Sequence, residues 1–273
     1  MIIDGKSIAN NLIQELKGQP KPEKFLAAFL VGEDSASISF LKQKEGVAKE
    51  LSVDFRLYKF PVEITQDDLR KEILKIVSSK TCGGAIIQLP LPEHINRQYV
   101  LNVIPREKDV DVLGERSLGA FYVGRNPVLP PAVGVVESIL RIVNQKLRIT
   151  NAVVIGAGSL IGKPISLWLE DKVAALAIFN ENAKKLEENL KNADLIISGV
   201  GRANLFSSKD LKENALVIDF GYSMVDGKIS GDFAISPINQ SANQPINYTP
   251  TPHGTGPILV AKLFENFYKL NGA

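Results

Sequence analysis

Cysteine and histidine are scarce in this sequence: Cys82 is the single cysteine, and His94 and His253 are the two histidines among 273 residues. One cysteine cannot form an internal disulfide, which is typical of proteins from a reducing compartment, and we therefore expect a cytoplasmic location. Transition metals in proteins are usually held by clusters of cysteine and histidine. The composition therefore predicts no metal centre of that kind.

Long apolar runs and an excess of one charge are also missing. No segment approaches the roughly 20 consecutive apolar residues that a membrane-spanning helix needs, and the opening residues MIIDGKSIANNLIQELK lack the pattern of a secretory signal. The 32 basic residues are balanced by 30 acidic ones, which leaves a net charge of +2. Because proteins that bind nucleic acid are usually strongly basic, we expect neither a nucleic acid nor a membrane as partner.

What the sequence does contain is a regular alternation of helix-like and strand-like segments. In the first half, KSIANNLIQELK has apolar residues at helical spacing, KFLAAFLVG and GGAIIQLPLP are short apolar runs, and SVDFRLYKF alternates like a half-buried strand. Residues 34–51 predict a helix, and Thr65 is a candidate N-cap for the next one. This order predicts an α/β fold with a mostly parallel sheet covered on both faces.

A second alternating block follows the aperiodic, Gly-, Pro- and Arg-rich segment 112–130. It begins with a helix expected at residues 132–145 and continues as short strands separated by helices, the pattern of a Rossmann-type, doubly wound parallel sheet. Residues 236–257 are expected to form a polar loop. We therefore predict a first domain over residues 1–118, joined by a C-terminal helix at 255–273, and a second domain over 119–254.

The segment VVIGAGSLIGKP places Gly156, Gly158 and Gly162 between a strand and a helix. Glycines allow the backbone to turn tightly and to approach a pyrophosphate, while the start of the helix offers free N–H groups and a positive dipole end. The spacing is one residue longer than in the common dinucleotide fingerprint, so a tight turn without a ligand is the alternative. We predict that these glycines, with Ala157 and Ser159, bind a dinucleotide cofactor.

The identity of the cofactor depends on the end of the next strand, where Asn180 and Glu181 follow ALAIF. A carboxylate at this place accepts hydrogen bonds from the ribose hydroxyls and repels a 2′-phosphate, and the glycine loop contains no arginine to counter it. Taken alone, Glu181 favours NAD over NADP, the alternative being a solvated residue at the start of a helix.

Three short segments carry polar side chains that are candidates for chemistry. Lys44 lies four residues after Phe40, so both face one side of the predicted helix. Gln88 follows a buried strand, at the carboxyl end where α/β folds bind ligands. Asp109 and Asp111 alternate along an extended segment, so only one of them is expected to face a cleft. Taken singly, each is more simply explained as a surface or structural residue.

Taken together, these segments resemble the bifunctional methylenetetrahydrofolate dehydrogenase/methenyltetrahydrofolate cyclohydrolase family over nearly the whole chain. The similarity rests on motifs that occur in the family's order, namely IIDGKSIA, VGEDSASISFLKQK, GAIIQLPLP, KDVD, the glycine loop and TPTPHGTGP. The resemblance implies two α/β lobes around a cleft, of which the second is the Rossmann-type lobe. It also implies a homodimer and NADP as the cofactor.

The family's functional residues map onto this chain position by position. Lys44 falls on the catalytic lysine, Gln88 on the glutamine that holds it, and Asp111 on the folate-binding aspartate. Four further residues are implied to contact a tetrahydrofolate derivative: Phe40, Leu89, Pro90 and Pro252. Tyr222 is implied to lie beside the nicotinamide. The implied activity is oxidation of 5,10-methylenetetrahydrofolate to the methenyl form and its hydrolysis to 10-formyltetrahydrofolate, with the lysine as the base.

The chain departs from the family's pattern at several of these sites. Four single replacements are Phe40 for tyrosine, Val112 for glycine, Tyr222 for isoleucine and His253 for glycine. The family's Gly-Arg-Ser is Gly-Ala-Gly at residues 156–158, which removes the arginine that pairs with the 2′-phosphate of NADP. These departures concern the cofactor site more than the residues of hydrolysis, which are all kept.

Two other functions are compatible with the residues. A small-substrate dehydrogenase of the shikimate or amino-acid type shares the cofactor fold but does not need QLPLP or Asp111. A degenerate paralogue that keeps only hydrolysis, or only folate or nucleotide binding, would account for the altered cofactor residues. His253 is a candidate proton donor, although a loop histidine facing water is the simpler interpretation.

Overall fold

The computed structural model describes residues 1–143, 149–180, 183, 186–236 and 246–272. The chain forms two compact units, which we describe separately. The first unit comprises Asn10–Pro131 and Val260–Ala273, and the second comprises Met1–Ala9 and Ala132–Leu259. The domain boundaries expected at residues 118 and 254 stay predictions, because a compact unit in space need not coincide with a functional domain.

Helices and strands alternate along the chain. The helices are α1 (Gly5–Lys17), α2 (Ser35–Glu50), α3 (Gln66–Val77), α4 (Arg97–Leu101), α5 (Glu115–Tyr122), α6 (Pro131–Val143), α7 (Gly162–Leu169), α8 (Leu186–Leu190) and α9 (Thr255–Leu270). The strands are β1 (Phe25–Val31), β2 (Phe55–Phe60), β3 (Cys82–Ile87), β4 (Asn151–Ile155), β5 (Ala175–Phe179), β6 (Leu195–Ser198), β7 (Phe206–Ser207), β8 (Leu216–Asp219), β9 (Ser223–Val225), β10 (Lys228–Ser230), β11 (Phe233–Ala234) and β12 (Asn247–Tyr248). Within the described part of the chain, none of the helices combines the length and the apolar character needed to cross a membrane.

The sheet of the first unit has three parallel strands in the order β2-β1-β3. Every residue of the central strand β1, FLAAFLV, is buried, as expected of a central strand in a covered parallel sheet. The edge strand β2 is partly exposed, in keeping with its alternating sequence. The parallel sheet predicted for this half of the chain is confirmed.

Helix α2 carries a charged residue on its buried face. Asp34 caps this helix by accepting a 2.7 Å hydrogen bond from the backbone N–H of Ser37, and Thr65 caps α3 by accepting one of 3.2 Å from Asp68, as predicted. The buried residues of α2 are Ser37, Leu41, Lys44 and Ala48. Because they recur at helical spacing, they share one side of the helix, and Lys44 is directed inward.

The sheet of the second unit has five parallel strands in the order β12-β8-β6-β4-β5. Numbered from β4, this order is 2-1-3-4-5, one of the two common doubly wound arrangements. The strand order reverses between β4 and β6, and folds of this kind bind ligands at such a switch point, outside the carboxyl ends of the strands. The predicted Rossmann-type sheet is confirmed.

Two segments contain structure that their sequences do not reveal. Residues 112–130 show no periodicity, yet they include α5, whose eight residues are too few for a helical period to stand out. The loop expected at residues 236–257 is interrupted by β12, whose Asn247 pairs with Leu216, and it ends where α9 begins at Thr255. The expectation of a continuous loop is therefore wrong, because a strand of two residues leaves no alternating pattern.

Parts of two expected elements cannot be compared with the structure. Residues 237–245 of the expected loop lie outside the described residues. Residues 144 and 145 of the helix expected at 132–145 do so as well, and the described part of that helix ends at Val143.

Candidate active site

A lysine is buried in the first unit and bonded to an uncharged partner. Lys44, on the inward face of α2, is 4% exposed. Its Nζ donates a 3.1 Å hydrogen bond to Oε1 of Gln88, which follows β3 and is itself buried. An ammonium group is costly to bury unless a charge is paired with it, so a lysine held by an amide tends to lose its proton. Two of the predicted residues therefore meet.

Gln88 is fixed so that its oxygen faces the lysine. Its backbone N–H donates a 2.9 Å hydrogen bond to the carbonyl of Phe29 on β1, and its Nε2 donates one of 2.8 Å to the carbonyl of Leu89. The same carbonyl accepts a 3.4 Å hydrogen bond from Oγ of Ser37 on α2. With its nitrogen engaged, the amide presents its acceptor to Lys44. These bonds join α2 to the end of β3 beside the lysine.

An aromatic face is the third neighbour of Lys44. The ring centroid of Phe40, one turn earlier on α2, lies 4.9 Å from Nζ. A cation at this distance is attracted to the ring face, which opposes deprotonation to a modest extent. Phe40 is half-buried, so part of its ring is accessible to a flat ligand.

The two aspartates of KDVD have different surroundings. Asp109 is buried and accepts hydrogen bonds from the backbone N–H groups of Leu113, at 3.0 Å, and Gly114, at 2.8 Å. It therefore holds the turn that follows and has little capacity left for a ligand. Asp111 is half-buried and interacts electrostatically with Lys44. Asp111 therefore stays the candidate for contact with a ligand, while Asp109 has a structural role.

Burial and charge act against each other on Lys44 and Asp111. Burial lowers the pKa of Lys44, and the carboxylate of Asp111 offsets part of that effect. Burial raises the pKa of Asp111 to about 6, with Lys44 lowering it and Asp109 raising it. The neutral form of each group is therefore more accessible near neutral pH than it is for a free side chain.

The C-terminal helix holds the backbone next to Asp111. Asn266 on α9 is 4% exposed, and its Nδ2 donates 2.8 Å hydrogen bonds to the carbonyls of Val110 and Leu129. On the other side of Asp111, Val112 is fully buried with a φ of 57°. A residue with a Cβ in this left-handed region costs about 1–2 kcal/mol, so the packing around the turn must stabilise it by more than that.

In the second unit, three glycines after β4 meet different constraints. Gly156 has a φ of 100°, which glycine adopts without strain. A Cβ on Gly162 would overlap the carbonyl oxygen of Gly156, so this close approach also requires glycine. A Cβ on Gly158 would meet no atom within 4 Å. The chain itself therefore does not require glycine at Gly158, and the open space beside it suits the close approach of a ligand.

This loop leads directly into α7, which begins at Gly162. The backbone N–H of Lys163 donates a 3.0 Å hydrogen bond to the Gly158 carbonyl, while Ala157 is exposed and Ser159 half-buried. The loop follows β4 at the switch point of the sheet, where a helix start offers N–H groups and a positive dipole end to an anion. The residues present fit the pyrophosphate of a dinucleotide.

The remaining predicted residues are distributed over both units. Leu89, half-buried, and Pro90, exposed, directly follow Gln88 in the first unit. In the second unit Tyr222 is 54% exposed, and Pro252 is also exposed. Glu181 lies outside the described residues. The structure thus groups the lysine, the glutamine, the aromatic ring and the second KDVD aspartate in the first unit, with the glycine loop and Tyr222 in the second.

His253 is exposed and has a φ of 79°. Histidine tolerates the left-handed region better than most residues that carry a Cβ. Its exposure agrees with the simpler of the two interpretations, a loop histidine that faces water.

Several buried polar residues near these sites are not predicted from the sequence: Ser37, Asp219, Asp232 and Asn266. Ser37 and Asn266 lie on helices, where the spacing of apolar residues does not mark an inward polar one. Asp219 carries the same signal as Gln88, a polar residue at the carboxyl end of an apolar parallel strand.

Comparison with known families gives two matches that together span most of the chain. Residues 3–111 match the tetrahydrofolate dehydrogenase/cyclohydrolase catalytic domain, and residues 130–272 match the tetrahydrofolate dehydrogenase/cyclohydrolase NAD(P)-binding domain. The bifunctional protein FolD of Clostridium perfringens is 32% identical over 275 residues, which cover 98% of each chain. That of Hydrogenobaculum sp. is 34% identical over 274 residues, which cover 98% of this chain and 97% of the relative.

Solved structures agree with these matches. The crystal structure of the bifunctional FolD methylenetetrahydrofolate dehydrogenase/cyclohydrolase from Campylobacter jejuni gives a TM-score of 0.91 at 30% identity, covering 99% of this chain and 98% of that one. The shikimate 5-dehydrogenase of Thermus thermophilus gives a TM-score of 0.53 at 14% identity, covering 91% of this chain and 94% of that one. A dehydrogenase of the shikimate type is thus similar in fold alone.

The glycine contacts predict opposite effects on stability for two matched substitutions. Gly162→Ala adds a methyl that overlaps a backbone carbonyl, and such overpacking costs about 1–3 kcal/mol, more than the roughly 1 kcal/mol that alanine gains in a helix. We expect a thermal midpoint several degrees lower. Gly158→Ala should leave the midpoint unchanged, because its methyl enters open space. Thermal unfolding followed by circular dichroism measures both, and equal midpoints for the two variants would contradict this account of the loop.

Proposed function

The chain belongs to the tetrahydrofolate dehydrogenase/cyclohydrolase family, and we propose that Lys44, Gln88 and Asp111 form its catalytic centre. It is a bifunctional enzyme of one-carbon folate metabolism. It oxidises 5,10-methylenetetrahydrofolate to 5,10-methenyltetrahydrofolate with NAD(P) and hydrolyses the product to 10-formyltetrahydrofolate. The observation that carries the assignment of the centre is the buried lysine bonded to a neutral amide.

The oxidation requires little acid–base chemistry from the protein. The nicotinamide cofactor, when bound, accepts the hydride that leaves the methylene carbon, and the substrate becomes a methenyl cation. The glycine loop would hold the pyrophosphate, and Tyr222 is the residue assigned to the nicotinamide. In the first unit, Phe40 stacks on the aminobenzoyl ring of the substrate, since its ring is half-buried beside Lys44. Leu89, Pro90 and Pro252 are assigned further contacts with the folate.

Hydrolysis of the methenyl cation depends on the lysine. Neutral Lys44 takes a proton from the attacking water, so that a hydroxyl forms on the one-carbon unit. The ammonium then gives that proton to the ring nitrogen that leaves, and the amine takes the hydroxyl proton as the formyl group forms. One proton is released to solvent overall. Burial lowers the pKa of Lys44, and a bound cation lowers it further, so the neutral amine is available near neutral pH.

The two partners of Lys44 differ in charge, and their roles differ accordingly. Gln88 holds the amine by a hydrogen bond without adding a charge that would keep it protonated. Asp111 accepts hydrogen bonds from the aminopyrimidine edge of the pterin, which requires its ionised form. Because burial raises the pKa of Asp111 to about 6, that form predominates at neutral pH but not in acid.

The second unit binds NAD(P), and we propose that NAD is the preferred form. Residues 156–158 lack the arginine that the family uses to pair with a 2′-phosphate, and Glu181 is expected to repel that phosphate. The open space at Gly158 supports a role in contacting the pyrophosphate, which both cofactors share. The preference therefore depends on side chains and not on the loop itself.

Two further properties remain expectations from the sequence and the family, namely a homodimer and a cytoplasmic location. The comparisons do not favour the alternative of a degenerate relative. The relatives that match nearly the whole chain are described as bifunctional. The structure also retains the lysine, the glutamine and the aspartate within one unit.

Replacement of the lysine should abolish hydrolysis. We expect Lys44→Met to lower the rate of methenyl hydrolysis by about 10²–10⁴-fold, the usual contribution of a general base, while NAD(P) affinity is unchanged. Lys42→Met on the exposed side of the same helix is the matched control and should keep the wild-type rate. Decay of methenyl absorbance measures both. Hydrolysis by Lys44→Met at the rate of Lys42→Met would refute the assignment.

The raised pKa of Asp111 predicts a pH-dependent affinity for folate. As the pH falls through about 6, Asp111 gains a proton and loses its ability to accept from the pterin, so the KM for methylenetetrahydrofolate should rise. Asp111→Asn should show a high KM that no longer changes across this range. Initial rates at saturating cofactor, measured at each pH, provide the test. The assignment fails if the variant reproduces the wild-type dependence of KM on pH.

The cofactor proposal predicts a lower KM for NAD than for NADP. Ala157→Arg with Gly158→Ser restores the family's residues and should shift the ratio of kcat/KM towards NADP by about tenfold or more, since a hydrogen bond to a charged group contributes about 1.5–3 kcal/mol. Gly158→Ser alone is the control and should leave the ratio near its wild-type value. Wild-type protein that reduces NADP more efficiently than NAD would overturn the preference.

A further inference from the structure

Two buried aspartates lie in the second unit and take no part in the chemistry above. Asp219, the last residue of β8, is 2% exposed, and Asp232, just before β11, is fully buried. Burying a carboxylate is costly unless hydrogen bonds satisfy it. Burial, and to a smaller degree the neighbouring Asp232, raises the pKa of Asp219 to about 6. The hydrogen bonds that these carboxylates accept therefore determine what they hold in place.

Asp219 ties the turn after β8 to the start of β11. Its Oδ1 accepts a 2.7 Å hydrogen bond from the backbone N–H of Gly221, and its Oδ2 accepts one of 3.0 Å from Phe233. The turn at residues 220–222 ends in Tyr222, the residue assigned to the nicotinamide. The carboxylate therefore fixes the backbone that carries this side chain.

Asp232 fixes the segment that follows β6. Its Oδ2 accepts hydrogen bonds from Oγ of Ser198 at 2.6 Å and from the backbone N–H of Val200 at 2.8 Å. Its Oδ1 accepts one of 2.7 Å from the backbone N–H of Arg202. This segment packs against the glycine loop, since a Cβ on Gly156 would lie 3.1 Å from the carbonyl oxygen of Gly199. Asp232 thus fixes the segment after β6 that lies next to the glycine loop at the switch point.

The two carboxylates are interlocked through glycines. A Cβ on Gly221 would overlap the carboxylate of Asp232, and a Cβ on Gly231 would overlap that of Asp219. Each carboxylate thus lies against the glycine beside the other, and only glycine fits at either place. Residues 219–221 (DFG) and 231–232 (GD) therefore pack as one unit at the carboxyl edge of the sheet.

The backbone of Asp219 has hydrogen-bond partners of its own, which differ from those of its carboxylate. Its N–H donates a 2.8 Å hydrogen bond to Oγ1 of Thr249, and its carbonyl accepts one of 3.0 Å from Oγ1 of Thr255. The strand end would therefore stay in place if the carboxylate changed. Loss of the carboxylate should disturb the two segments that it bonds, and not the sheet.

We infer that Asp219 and Asp232 are positioning residues for the dehydrogenase reaction, which fix segments 199–202 and 220–222 beside the nucleotide crevice. Both segments follow strands at the carboxyl edge, where doubly wound folds bind their ligands. The inference rests on the proposed binding of NAD(P) at the glycine loop. Neither aspartate is assigned a contact with the cofactor; each acts through the backbone that it holds.

The test compares Asp219→Asn and Asp232→Asn with a matched control at the opposite edge of the same sheet. Asp194 precedes β6, and its Oδ2 accepts hydrogen bonds from the backbone N–H groups of Thr150 at 2.8 Å and Asn151 at 2.7 Å. Its Oδ1 is also paired with Nζ of Lys212. Asp194→Asn therefore removes a half-buried carboxylate at an edge of the same sheet, together with one ion pair, without touching the crevice. For each variant we would measure the Kd of NAD and NADP by calorimetry, the KM and kcat of oxidation, the rate of methenyl hydrolysis, and the thermal midpoint.

We expect the two variants to bind the preferred cofactor at least tenfold more weakly and to hydrolyse the methenyl substrate within twofold of wild type. Asp194→Asn should lower the thermal midpoint, because it loses two backbone bonds and the pair with Lys212, and should keep the wild-type Kd. The inference is overturned if all three variants share one Kd, or if hydrolysis falls in parallel with oxidation. If the aspartate variants do not fold, Ser198→Ala provides a milder test, because it removes only one donor to Asp232. It should weaken binding about threefold, and a wild-type Kd would overturn the inference.

A failure of the proposed function gives a different result. Wild-type protein that binds neither NAD nor NADP would refute the role of the glycine loop itself. Wild-type binding that persists unchanged in both aspartate variants would refute only the positioning role.

Discussion

The chemistry proposed for the first unit depends on a lysine that is buried and hydrogen-bonded to an amide, not to a carboxylate. The 3.1 Å bond from Lys44 to Gln88 satisfies the amine in either protonation state, so it positions the group without choosing its charge. A directly paired carboxylate would stabilise the ammonium and remove the base. Asp111 acts on Lys44 only as the smaller of two effects, and burial, the larger one, keeps the pKa of the lysine low. In the proposed mechanism, Asp111 can therefore bind the substrate while Lys44 acts as the base for water.

In both units some of the residues assigned to function lie at or just after the carboxyl ends of parallel strands. Gln88 follows β3, Gly156 follows β4, and Asp219 ends β8. At such an edge the backbone leaves the regular ladder, and its polar groups need other partners. Buried side chains supply them: Gln88 donates to the carbonyl of Leu89 after β3, and Asp219 accepts from the N–H of Gly221 after β8. These polar groups therefore stabilise the edge of each sheet and, by the same bonds, determine the positions of its loops.

The sequence predicts the longer strands, the main helices and the glycine loop, because each leaves a periodic pattern or a glycine that has a local physical cause. It predicts the meeting of Lys44 and Gln88 only through a resemblance to a family, since residues 44 apart in the chain leave no local pattern for their contact. It does not predict Asn266, whose two acceptors lie more than a hundred residues away. Strand β12 is missed because a strand as short as Asn247–Tyr248 is set by its pairing with β8 and not by its own alternation. Polar contacts between distant residues are thus not predicted from the sequence, whereas the helices and strands that show apolar periodicity are.

The departures from the family's pattern have different consequences, because one lies beside the proposed folate site and others lie in the proposed cofactor site. Val112 occupies a left-handed position that a glycine would adopt freely, and its buried side chain must compensate for the strain next to Asp111. In the glycine loop, by contrast, the close approach of Gly156 and Gly162 is kept, and the expected departures concern side chains that are assigned to the ribose. Pyrophosphate is bound by the backbone and the start of a helix, whereas the 2′-position is read by side chains. A chain of this fold can therefore change its preference between NAD and NADP without losing the geometry that binds either.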